Sequence, residues 1–130
     1  MQALQDIWDL PRKGYSWATA GYMGAISSGQ TTCGLLIGSS VAIGFQCGQG
    51  KDGVPEEHEV DRNRTIDVVG ELYRDFLKEF GSTECKVLCH SDFSNPEDVN
   101  QYIQNKAWKN SCDVFLDFVI KKCIELLPRS

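Results

Sequence analysis

The chain predicts an all-helical single domain spanning residues 1–130, with about five or six helices around one buried helix rich in small residues. Three observations lead there. Apolar residues recur at steps of three and four between residues 61 and 80. Helix-capping residues precede most of the other apolar runs. No pair of alternating apolar runs flanks a hairpin turn, as a sheet would need.

In chain order, residues 3–10 are a short helix candidate, with Ile7 and Leu10 on one face and Pro11 and Gly14 as stops. Residues 15–28 mix aromatics with glycine and serine and read as a turn-rich approach. Either Thr31 or Thr32 can cap the next helix, 32–45, which runs through Leu36, Ile37, Val41 and Phe45. Gly34 and Gly38, with the small residues Ser39 and Ala42 nearby, are costly in a helix unless another backbone or a ligand comes close. Burial against another helix or a second copy is therefore expected, and the second case, a homodimer, stays open beside the first.

Residues 48–59 form a polar loop. Ile66, Val69, Tyr73, Phe76, Leu77 and Phe80 then make the clearest amphipathic helix, closed by Gly81. Ser82 caps a short segment through Cys85, Leu88 and Cys89. In Ser94-Asn95-Pro96-Glu97 a capping serine, a first-turn proline and a glutamate three residues on open a helix through Val99, Tyr102 and Ile103. Asn110-Ser111 precedes the last helix, which starts near Cys112, carries Phe115, Phe118 and Val119, and ends at Leu127-Pro128.

The net charge of -5, with scattered basic residues, argues against a nucleic-acid partner, because binding phosphates needs clustered cations. Asp6 and Asp9 interrupt the apolar stretch a secretory leader would need, so a cytoplasmic location is expected. Residues 14–50 carry no charge, yet the dense apolar run at 35–45 is diluted by glycine and serine. A membrane span needs about 20 mostly apolar residues, so none is expected.

Six cysteines stand at 33, 47, 85, 89, 112 and 123, and no Cys-x-x-Cys occurs among them. For a chain in a reducing compartment this points to metal binding or redox chemistry rather than structural disulfides. Cys33, Cys85 and Cys112 each fall at the predicted start of a helix. Free N–H groups and the helix dipole there favour an anion and lower a thiol pKa, giving the thiolate that attacks or binds metal. Cys89 shares a helix face with Cys85, four residues before it, while Cys47 and Cys123 read as core or surface thiols. The bland alternative is that all six are small apolar residues filling a core.

Cys33-Gly34-Leu35-Leu36-Ile37-Gly38, then Phe80-Gly81 and Cys85, then Asp92-Phe93-Ser94-Asn95-Pro96-Glu97 and Cys112, resemble the C_GCAxxG_C_C family over residues 21–127. The resemblance implies a helical, redox-active protein working through four cysteines. Leu35 stands where the motif has alanine. The family's first cysteine has no counterpart before Cys33: either the sequence begins after it, which the abrupt opening helix favours, or this member uses only three, with Cys89 as the substitute.

Rival sites are weaker. Gly48-Gln49-Gly50-Lys51-Asp52-Gly53 matches the spacing of a dinucleotide fingerprint, but Asp52, Pro55, Glu56 and Glu57 stand where pyrophosphate would bind. His90 beside Cys89 and His58 among glutamates read as solvated histidines. Trp8, Tyr15, Trp17 and Tyr22 could stack on a planar ligand, though packing is the default for such aromatics.

The expected function is thus thiol-based redox or metal-thiolate chemistry, with Cys33, Cys85 and Cys112 as redox thiols. The same three with Cys89 would be ligands to an iron-sulfur cluster or other soft metal, and Gly34 and Gly38 would leave room for a cofactor. A redox partner protein is implied. The alternative from another class is a partner-binding or accessory module with structural cysteines. The redox reading requires the three helix starts to converge although 52 and 27 residues separate them.

Overall fold

The computed structural model describes residues 1–12, 14 and 16–128. Its α-helices are α1 (Gln2–Ile7), α2 (Trp17–Ala20), α3 (Tyr22–Ser27), α4 (Gly34–Gly48), α5 (Glu59–Phe80), α6 (Cys85–Cys89), α7 (Pro96–Gln104) and α8 (Cys112–Leu126). Two 3-10 turns, Pro55–Glu57 and Ala107–Asn110, join them. Among the described residues there is no strand beyond one isolated bridge between Thr32 and Glu84. The helical count exceeds the five or six expected, largely because the stretch read as turn-rich holds α2 and α3, which meet at Gly21. No described helix is long and apolar enough to cross a membrane.

The long helices supply the core. One face of α5 buries Leu72 and Phe76 completely, and the helix ends where Gly81 takes φ +79°, a left-handed cap open to glycine without strain. Phe76 and Phe80 meet Phe115 and Phe118 of α8, with ring centroids 4.8 to 6.0 Å apart in tilted or edge-on contact. Such pairs add to the stabilisation from burying their area. Across this layer lies α4, which buries Leu36, Gly38, Ser39, Ala42, Ile43 and Cys47 and packs on α1, α2, α5 and α8. The hydroxyls of Ser39 and Ser40 donate back to the carbonyls of Leu35 and Leu36, so neither polar group is stranded.

The glycines of α4 take up neighbours within the chain. A Cβ at Gly34 would lie 3.1 Å from Ile26 Cδ1 of α3, one at Gly38 would lie 3.4 Å from the Met1 nitrogen, and one at Gly44 would lie 3.9 Å from Thr65 of α5. The close approach that glycine permits is therefore spent on α3, the start of α1 and α5 in turn.

Of the four aromatics before residue 23, the three described ones, Trp8, Trp17 and Tyr22, do not make one cluster. Trp8 is buried, and its indole Nε1 donates to the Leu127 carbonyl at 3.2 Å, joining α1 to the end of α8. Trp17 is 81% exposed, Tyr22 hydrogen-bonds near the start of α4, and Tyr15 lies outside the described residues.

Phe76 should be the most sensitive core position. Phe76→Ala is expected to cost about 3–5 kcal/mol in urea unfolding, whereas Val60→Ala, at a side chain 81% exposed, should stay within about 0.5 kcal/mol.

Candidate functional site

The site is built on the isolated bridge. The Cys33 N–H donates to the Thr83 carbonyl at 2.7 Å and the Cys85 N–H to the Thr31 carbonyl at 3.0 Å, so the starts of α4 and α6 lie side by side. Tyr22 braces the pair from α3: its hydroxyl donates to the Thr32 carbonyl at 2.8 Å and also meets the Thr31 hydroxyl. Cys33 is the N-cap residue of α4, Cys85 the first residue of α6, and Cys112 the first residue of α8 behind its cap Ser111.

One turn of helix carries the backbone from Cys85 to Cys89. His90 then takes φ +53°, unusual for a residue with a side chain, and ends α6 there. The chain turns through Asp92, whose N–H donates to Asp98 Oδ2 at 2.9 Å, into α7. Asn95 rather than Ser94 caps α7, its Oδ1 accepting from the amides of Glu97 and Asp98. The helix brings Tyr102 to the site, where its ring packs edge-on against Phe93 and tilted against Trp108.

Cys33, Cys85, Cys89 and Cys112 all line one cavity of about 470 Å³. Cys89 Sγ lies 3.6 Å from Cys112 Sγ, the Tyr102 hydroxyl lies 3.0 Å from Cys112 Sγ, and the Ser111 hydroxyl lies 3.9 Å from it. Cys112 is half-buried and the other three are buried. Gly34 and Leu35 also line the cavity, whereas Gly38 does not: its open side faces Met1, so it serves packing rather than a ligand here. Cys47 and Cys123 lie in the hydrophobic core, and His90 is exposed and outside the cavity lining. His58 belongs to the loop before α5, where its Nε2 lies 2.6 Å from the Asp52 carbonyl.

The four thiols differ in their hold on a proton. Cys112 is lowered to about 6, first by a hydrogen bond from Cys89 and then by those from Tyr102 and Ser111, against burial and the nearby Asp113. Cys85 is also lowered, again first by Cys89, against burial. Cys89 is pushed far up, because its proton is held by hydrogen bonds to Cys112 and Cys85 and because it is buried. Cys33 is raised: burial outweighs the pull of the Leu35 and Leu36 amides at the start of α4. The expectation that all three helix-start thiols are acidified therefore fails for Cys33. For the other two the leading cause is a neighbouring thiol rather than the helix start.

The arrangement can do two-electron chemistry. A thiolate at Cys112 touches a protonated thiol, and closing the gap to a bonded distance of about 2.05 Å takes a movement of roughly 1.5 Å. Thiolate donors suit soft metals. However, among the described residues no three His, Cys, Asp or Glu side chains are gathered to hold one metal ion. The donor types fit such a group and their present placement does not.

Tyr102 is the site residue that sequence reasoning missed. It was visible only as a member of the apolar stripe of α7, and its place against Cys112 depends on the turn at Ala107–Asn110 that folds α8 back.

Comparison with known proteins adds one positive finding. The family model described as "Putative redox-active protein (C_GCAxxG_C_C)" matches residues 1–126. No curated protein and no solved structure matches.

The proton inventory can be checked by the pH dependence of alkylation, read site by site by peptide mass spectrometry. Cys112 should react with a midpoint near pH 6, and Tyr102→Phe, which removes one donated hydrogen bond, should move that midpoint up. Because its folded pKa lies below the free-thiol value of about 8.5, ionised Cys112 supports the fold fully above that pH, and the support is lost as pH falls through about 6.

Proposed function

Because the chain belongs to the C_GCAxxG_C_C family, we propose that it is a thiol redox protein whose working pair is Cys112 and Cys89. The single observation that carries this reading is the 3.6 Å contact between the two sulfurs, with Tyr102 hydrogen-bonded to Cys112. Cys112 supplies the thiolate and Cys89 the thiol that resolves it. Oxidation of the pair forms one S–S bond, releases the single proton of Cys89 and hands two electrons to an acceptor.

Cys85, one helical turn before Cys89, is the third participant. Its thiolate attacks Cys89 Sγ of the disulfide and releases Cys112 as a thiolate, which moves the bond to Cys85 and Cys89 and frees the more accessible sulfur. Cys33, buried and with a raised pKa, is the reserve thiol of the set. Return to the reduced state needs a dithiol reductant, which a redox partner protein would supply.

A second reading has one observation in its favour, since all four sulfurs line the same cavity. There, Cys33, Cys85, Cys89 and Cys112 would draw together around a soft metal or an iron-sulfur cluster, which would supply electron-transfer or Lewis-acid chemistry when bound.

Oxidant titration of the reduced protein with diamide, followed by peptide mapping, tests the leading reading. Two thiols per chain should be lost first, as a Cys89–Cys112 cross-link that Cys112→Ser abolishes and Cys47→Ser does not. Independent, slow loss of thiols without a cross-link would leave a partner-binding or accessory module with structural cysteines. Metal retained after anaerobic purification, with sulfur-to-metal absorption lost in Cys33→Ser, would favour the second reading.

A further inference from the structure

The walls of the thiol cavity say what kind of molecule reaches the sulfurs. Besides the four cysteines they are Met23, Ile26, Leu35, Phe93, Val99 and Tyr102, with Gly34 and Ser27. Among the described residues that line it, none is charged. That is not a general property of this surface: another cavity of about 570 Å³, between α4 and α5, carries Lys51, Glu56, Asp61 and Arg62. The thiol cavity is also far larger than a small inorganic oxidant needs, since a water molecule occupies about 30 Å³ and small organic ligands fill sites of roughly 300–1,000 Å³. A charged peroxide or a peptide disulfide with free carboxylates would be desolvated here without a partner.

Two polar groups meet at Cys112. Tyr102 places a hydroxyl 3.0 Å from Cys112 Sγ, and Cys89 places a thiol 3.6 Å from it. A thiolate leaving a disulfide needs no proton donor at neutral pH, whereas an alkoxide leaving an O–O bond does. A donor beside the nucleophile therefore favours the second kind of substrate.

We infer that the thiol cavity takes an uncharged organic hydroperoxide, its apolar body against Met23, Ile26, Leu35, Phe93 and Val99 and its O–O bond against Cys112. The inference rests on the thiol redox reading and adds its substrate class. The Cys112 thiolate attacks the terminal oxygen, the O–O bond breaks, and the alkoxide takes a proton from the Tyr102 hydroxyl, which solvent restores. The products are a sulfenic acid on Cys112 and an alcohol. The Cys89 thiol then condenses with the sulfenic acid to give the Cys89–Cys112 disulfide and one water. The hydroperoxide is thereby reduced by two electrons drawn from two thiols.

The test compares cumene hydroperoxide with hydrogen peroxide on the reduced full-length chain at pH 7, with Cys89–Cys112 disulfide followed by quenched-flow mass spectrometry. The ratio of the two rate constants is divided by the same ratio for thiols of the chain unfolded in guanidinium, which removes intrinsic reactivity. Each buried methylene should favour binding about fourfold, so the corrected ratio is expected to be at least about tenfold in favour of cumene hydroperoxide.

Met23 is 63% exposed, so Met23→Glu puts a carboxylate on the cavity wall with little risk to the core. It should bring the corrected ratio down severalfold, whereas Met23→Leu preserves it. Tyr102→Phe should slow the hydroperoxide reaction more than it slows alkylation by iodoacetamide at equal thiolate fraction. A corrected ratio near one, with the disulfide formed by both oxidants, overturns the substrate class and leaves the thiol reading standing. A preference unchanged by Met23→Glu overturns its assignment to this cavity, and equal slowing by Tyr102→Phe overturns the donor role. No Cys89–Cys112 disulfide with either peroxide or with diamide overturns the thiol reading itself.

Discussion

Two backbone hydrogen bonds, Cys33 N–H to Thr83 and Cys85 N–H to Thr31, hold the site in place. Between them the chain runs out along α4 and back along α5, about 22 Å and 33 Å of helix at 1.5 Å per residue, and the bridge closes the open end of that hairpin. The entropy of closing such a loop grows only slowly with its length, and most of it is already offset by the packing of α4 on α5. The bridge therefore needs to supply little energy. Its contribution is register: it decides which residue of α6 stands beside the start of α4, and a slip by one residue would turn Cys85 away.

The thiol cluster works under opposing demands. An apolar cavity raises the cost of a thiolate, as the raised Cys33 shows, yet Cys112 is held near 6. The difference lies in donors. Cys33 has only main-chain amides to offset its burial, while Cys112 receives hydrogen bonds from Cys89, Tyr102 and Ser111 and is also less buried. A site with one acidic thiol beside one that keeps its proton is asymmetric from the start, so attacker and resolver are assigned before any substrate arrives.

Much of the fold could be read from local chemistry. The α5 helix follows from its apolar period and its closing glycine, and the positions of Cys85 and Cys112 at helix starts follow from the polar residues before them. Where the reading slipped, a tertiary partner had decided the matter. Asn95 displaces Ser94 as the cap of α7 because Ser94 is engaged by Asp92, whose carboxylate accepts from both its amide and its hydroxyl. α4 starts one residue after Cys33 because the amide of Cys33 is committed to the bridge. Residues 17–27 form helices despite their glycine and serine, since α2 packs on α4 and Ile26 of α3 closes over Gly34. The proton affinities were the least legible part. They depend on which sulfur faces which, and sequence spacing cannot give that for residues 23 positions apart such as Cys89 and Cys112.

The hydrogen bond from Trp8 to the Leu127 carbonyl spans 119 positions of sequence. Because α1 is only six residues long, it could not persist in water by itself. Tied to the last turn of α8 through the indole, it draws its stability from tertiary contact rather than from its own length. α8 also carries Cys112 at its opposite end, so the indole anchors one end of the fifteen-residue helix whose other end holds the sulfur the chemistry needs.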